Sequence, residues 1–127
     1  MFKKKIKYVD FNGAEREEDF YFHMSVPEAT RLEARFGGMS LETYAKNLAL
    51  NEDMAPMIEF IENIILSSYG QKSSDGRSFV KNEQMRTEFE YSQAYAELFE
   101  EMLTNPEVAE AFAKGVAAQT KQFAPPK

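Results

Sequence analysis

The chain has 127 residues and a mass of 14.6 kDa, the size of a single domain. Its 15 Lys and Arg stand against 21 Asp and Glu, and the resulting net charge of -6 opposes a role in coating nucleic acid, which needs clustered positive charge. Cys is absent and His23 is the one histidine, so disulfides, thiolate metal sites and cysteine nucleophiles are excluded, and the composition argues against most enzymes.

Residues 3–24 read as an antiparallel β-hairpin. Ile6 and Tyr8 share a parity before Asn12-Gly13, and Phe20, Phe22 and Met24 share one after it. A two-residue Asn-Gly loop would put the two rows on opposite faces. A three-residue loop, Phe11-Asn12-Gly13 with Gly13 in the left-handed region, keeps them on one face and is the expected turn. The other face then carries Lys3, Lys5 and Lys7 opposite Glu15, Glu17 and Asp19, a solvated surface.

From residue 25 the apolar period changes to about 3.6. Ser25-Val26-Pro27-Glu28 is a capping box opening a helix with Ala29, Leu32 and Phe36 on one stripe, stopped by Gly37-Gly38. Ser40 caps a helix bearing Leu41, Tyr44, Ala45 and Leu48. Asp53 caps a third, apolar on most sides through Met57, Ile58, Ile61, Ile64 and Ile65, and expected to be central. Residues 70–80 read as the longest loop, with Gly70 suited to a left-handed helix end and Asp75-Gly76 to a tight turn. Asn82, Ser92 and Asn105-Pro106-Glu107 open three further helices, and residues 119–127 read as an irregular tail. The expected architecture is α+β and mostly helical. One N-terminal antiparallel β-hairpin precedes about six helices in a single domain over residues 1–118, with the helical part at 25–118.

No constellation of residues carries chemistry. His23 lacks companion ligands, and Glu15, Glu17, Glu18 and Asp19 lack the spacing of a calcium loop. The Gly70–Gly76 stretch has Gly, Lys and Ser in the wrong order for a phosphate loop. Lys3, Lys4, Lys5 and Lys7 face the hairpin's own acids, which disfavours a membrane or nucleic-acid role. No segment approaches the ~18 apolar residues of a membrane span, and no apolar run follows the charged start, so the expectation is a soluble intracellular chain without cofactors or metals. The 11 Phe, 6 Tyr and 7 Met outnumber what so small a domain is expected to hide, which points to partner-binding surface.

Two stretches carry a family resemblance. One is Tyr8-Val9-Asp10-Phe11-Asn12-Gly13-Ala14-Glu15-Arg16-Glu17-Glu18-Asp19-Phe20-Tyr21-Phe22. The other is Ser68-Tyr69-Gly70-Gln71-Lys72-Ser73-Ser74-Asp75-Gly76-Arg77-Ser78-Phe79-Val80-Lys81, followed by Phe89, Ser92, Ala94-Tyr95 and Leu98-Phe99. With their spacing they resemble the short tail assembly chaperones of long-tailed bacteriophages and related prophages, over nearly the whole chain to about residue 118. The resemblance implies a non-catalytic protein of the host cytoplasm that binds and solubilises the tape measure protein and promotes tail tube polymerisation. It also implies absence from the finished virion. Such chaperones are often made in two forms by programmed frameshifting, the longer one reaching the tube protein, and this chain resembles the short form. Pro125-Pro126-Lys127 is compatible with a slippery run of the form C CCA AAG, which the gene sequence would reveal. The alternative is a structural completion or connector protein retained in the particle.

Covering a long client helix asks for many weakly held copies, hence a homo-oligomer. The expected partner contacts are the apolar residues whose place in the elements is ambiguous, Met39, Met54, Phe60, Tyr91 and Phe123, together with the basic pair Lys72 and Arg77.

Overall fold

The structure is a computed structural model and describes residues 1–121. Strands β1 (Phe2–Val9) and β2 (Glu15–Phe22) form the expected hairpin. Phe2 pairs with Phe22 and Val9 with Glu15, which leaves the three-residue loop 11–13 at the tip. Gly13 has φ 81°, a conformation that side chains with a Cβ resist, and its N–H donates to the Asp10 carbonyl at 2.9 Å. Phe20 and Phe22 therefore fall on the same face as Phe2, Ile6 and Tyr8. On the opposite face Lys5 and Lys7 reach Glu17 at 3.5 and 3.4 Å, exposed pairs worth about 0–1 kcal/mol each.

Helices α1 (Val26–Arg35), α2 (Leu41–Ala49) and α3 (Ala55–Ser68) follow. The caps read from the sequence are in place: Ser25 with Glu28 as a full capping box, and Ser40 accepting from the Thr43 N–H. At α3 the Asp53 carboxylate accepts from the Ala55 N–H, so the helix begins two residues after Asp53. Its inner side is solid core, with Met57, Phe60, Ile61, Ile64 and Ile65 buried, and it packs against α2, α5 and α6.

The 70–80 loop is corrected. It contains β3 (Tyr69–Lys72) and β4 (Phe79–Val80), which extend the hairpin into a four-stranded sheet of order β1-β2-β3-β4. Tyr21 pairs with Gly70 and Gln71 with Val80. Gly70 is not a left-handed helix end: its φ is not positive, and it is needed for close approach instead. A Cβ there would lie 2.5 Å from the Val80 carbonyl oxygen and 2.6 Å from the Phe79 ring. The turn 73–78 is fixed as expected, because Asp75 Oδ1 accepts from Ser73 Oγ and the Arg77 N–H. It reverses the chain between the two strands β3 and β4.

Helices α4 (Glu83–Glu90), α5 (Gln93–Thr104) and α6 (Pro106–Lys121) complete the described chain, the first two capped by Asn82 and Ser92. Helix α6 runs three residues into the span read as an irregular tail; residues 122–127, Phe123 among them, lie outside the described residues. The fold is thus α+β and mostly helical, with an N-terminal hairpin and, among the described residues, six helices.

The sheet's inner face and the helices meet through aromatic rings. Phe22 lies edge-on to Phe112 of α6 at 4.9 Å, Phe20 is 5.3 Å from Phe89 of α4, and Tyr69 stacks on Phe89 at 4.1 Å. A second cluster joins Phe36, Tyr44 and Phe60. Gly70→Ala should cost about 1–3 kcal/mol through overpacking against backbone that cannot swing away. Urea unfolding of the variant checks this; an unchanged midpoint would mean that β4 yields without loss.

Candidate partner-binding surfaces

The aromatic and methionine surplus is largely spent in the interior, contrary to the expectation of a broadly sticky exterior. The rings face each other across the sheet–helix boundary, so a small domain hides more of them than its size suggests. Among the described residues the exposed large apolar side chains are Met1, Val9, Phe11, Leu50, Met54, Val80 and Tyr91. They stand at loops and element ends, in several separate stretches of the chain.

Two of these places are the most exposed. Phe11, 78 % exposed, sits at the tip of the hairpin beside Val9, and residues 11–19 are all exposed, so this end stands largely clear of the helices. The tip is nonetheless ordered from within. Asp10 Oδ1 accepts from the Asn12 and Ala14 N–H groups, both at 2.9 Å, and Oδ2 accepts from Arg16 Nε at 2.6 Å. The Arg16 bond first, then that of Ala14, holds the Asp10 carboxyl below its usual value. The Tyr8 hydroxyl donates to Glu18 Oε1, a bond that, with burial second, pushes the phenol up to about 12. Phe11 is therefore presented on a braced turn. The second place is the α2–α3 connection, where Leu50 is 85 % exposed and Met54 52 %.

The residues expected as contacts divide accordingly. Met54 and Tyr91, the latter 74 % exposed between α4 and α5, are on the surface. Met39 is half-buried, its sulfur accepting from Asn47 Nδ2. Phe60 is corrected: it is fully buried, edge-on to Phe36 and Tyr44, because α3 turns that side inward. Lys72 and Arg77 are exposed on β3 and on the β3–β4 turn, and no acidic partner holds either among the described residues. Phe123 lies outside the described residues. Phe11 and Leu50 are exposed groups that apolar periodicity does not single out. Phe11 occupies a hairpin loop and so cannot face the core, and Leu50 follows the last inward residue of α2, so both were signalled by position.

A cleft of about 440 Å³ opens between α1, the end of α3 and α4. Its polar centre is Lys81, whose Nζ donates to Glu28 Oε2 and to the Ser67 carbonyl, both at 2.7 Å. Glu28 at the same time accepts from the Ser25 N–H to complete the capping box. Burial alone would raise the Glu28 carboxyl, but the hydrogen bonds from Lys81 and Ser25 outweigh it and hold the group low. Burial lowers Lys81 more than Glu28 raises it.

His23 lies edge-on to Phe79, and burial first keeps its pKa below the ordinary value. Among the described residues no group of three or more His, Asp and Glu is placed to hold a metal, and no helix is long and apolar enough to cross a membrane. The model of a family of phage tail assembly chaperones matches residues 1–120, and the chain belongs to that family. Membership of a chaperone family points to a non-enzymatic role with protein partners in tail assembly. No curated protein and no solved structure matches the chain.

The Glu28–Lys81 pair sets a pH dependence. Because the folded Glu28 carboxyl lies below its ordinary 4.5, the stability it contributes is present above that value and is lost as pH falls through the lower folded value. Lys81→Met should lower stability at neutral pH by about 1 kcal/mol and flatten the acid limb of a melting-temperature profile. An acid limb identical to that of the unaltered protein would remove Glu28 from its cause.

Proposed function

We propose that this chain binds the tape measure protein of a phage tail before the tube encloses it, keeps it soluble, and promotes polymerisation of the tail tube around it. The observation that carries the reading is the family match across residues 1–120. A tape measure chain without its tube exposes long apolar helical stripes, and a chaperone for it needs apolar contacts that do not make the chaperone itself aggregate. Single apolar side chains at Phe11, Leu50, Met54 and Tyr91, spread over a chain of net charge -6, meet that need. Each contact is small, so affinity for a long client comes from several copies acting together, and tube subunits displace them one at a time. The contacts carried over from the sequence reading are Met54 and Tyr91, together with Met39, Lys72 and Arg77. A longer frameshifted form carries the link to the tube protein, and neither form stays in the finished particle.

Co-expression with the tape measure protein tests the reading. Phe11→Asp combined with Leu50→Asp and Met54→Asp should leave the melting temperature within a few degrees, since all three side chains are exposed, and should reduce the soluble client severalfold. Unchanged client recovery would refute the contact assignment. Detection of the chain in purified virions by mass spectrometry would favour the retained structural component.

A further inference from the structure

The cleft between α1, α3 and α4 reverses the sign of the molecule. In a chain of net charge -6 it gathers Arg31, Arg35, Lys81 and Arg86 against two carboxylates, Glu28 and Glu83. Glu28 is already engaged by Lys81. Among the described residues none of the three arginines is ion-paired, although Arg35 lies 5.6 Å from the centre of the Phe36 ring. All three are exposed, so their guanidinium groups are open to an acceptor from outside the chain.

The lining also specifies a shape. Arg31 and Arg35 are four residues apart on α1, which sets them side by side about one helical turn apart, and Arg86 stands on α4 across the cleft. Leu32, Leu66 and Tyr69 contribute apolar surface between them. Guanidinium groups favour planar acceptors that take two hydrogen bonds, which a carboxylate offers. Two carboxylates one turn apart with an apolar residue between them is the pattern of an acidic amphipathic helix. Nucleic acid fits less well. Four cations in one cleft give few phosphate contacts, and the surrounding acidic surface repels a polyanion.

We infer that the α1–α4 cleft docks an acidic amphipathic helix of a partner protein, its carboxylates on Arg31, Arg35 and Arg86 and an apolar side chain over Leu32 and Leu66. This surface is separate from the apolar tips at residues 11 and 50–54. It fixes the orientation of a helix, which scattered apolar contacts do not do.

The test uses the full chain and two synthetic helical peptides with the same leucines, one with glutamates four residues apart and one with lysines in their place. Amide chemical-shift mapping and fluorescence anisotropy at physiological salt read the outcome. The glutamate peptide should shift amides in 28–35 and 81–86, the lysine peptide should not, and R31E/R35E should weaken the glutamate peptide at least about tenfold. R31Q/R35Q, which adds no repulsion, should weaken it less and keep the melting temperature. Equal binding of both peptides, no binding, shifts outside the cleft, or an equally strong response of the same amides to inorganic phosphate or duplex DNA would each overturn the inference. Client solubilisation by R31Q/R35Q is a separate readout. Its loss together with peptide binding places the client in the cleft, whereas its retention leaves the apolar-tip reading intact and assigns the cleft to another acidic helix.

Discussion

The register of the first hairpin is the constraint on which the remainder of the fold depends. With Gly13 at φ 81° and three residues in the loop, Phe20 and Phe22 come to the same face as Phe2 and Ile6. A slip of one residue would turn both phenylalanines to the solvated side and leave α4 and α6 without the rings they pack against. Phe22 meets Phe112, Phe20 meets Phe89, and Tyr69 closes on Phe89 from β3. A single local turn thus determines where two helices from the far end of the chain can dock. Gly70 makes a similar demand from the other side of the sheet, since only a residue without Cβ lets β4 approach.

A second, polar constraint ties the helices to that sheet. Glu28 caps α1 and also receives Lys81, while Lys81 reaches the Ser67 carbonyl near the end of α3. The three groups satisfy one another in a half-buried position where any one left alone would cost about 1–3 kcal/mol. Meanwhile the His23 N–H donates to the Ser68 carbonyl, so β2 is attached to the same helix end. The capping-box glutamate therefore specifies tertiary structure as well as a helix start. Lys81 in turn neutralises the Glu28 carboxylate, which would otherwise offset the arginines nearby.

What the sequence made legible follows from range. Ser25, Ser40, Asn82 and Ser92 cap helices through bonds to residues three positions on, so their signals are contained in a few letters, and all four helices start where those letters stand. Strands β3 and β4 have no such signal. Tyr69-Gly70-Gln71-Lys72 lacks alternation and β-branched residues, and it becomes a strand because Tyr21 and Phe22, far back in the chain, offer it an edge. Phe60 illustrates the same limit at the surface. On a helix apolar on most sides the periodicity of α3 leaves its flanks ambiguous, and the position of Phe36 and Tyr44 decides that Phe60 is covered. Counting aromatic residues overstated the exposed surface because ring-to-ring contact across the sheet was not part of the count.

The distribution of the remaining apolar groups has a physical logic on the proposed reading. One continuous patch large enough to hold a client would drive the chaperone onto itself. Small groups at Phe11 with Val9, at Leu50 with Met54, and at Tyr91 avoid this, because each offers only one or two apolar side chains to a second copy. Bracing matters for the same reason. A side chain on a floppy loop loses entropy on binding, whereas Phe11 stands on a turn already closed by Asp10 and Arg16, so little further order is required. Weak contacts that lose little entropy, repeated along a long partner, give binding that is firm in sum and reversible at each point. An assembly intermediate that must be stripped one subunit at a time needs that combination.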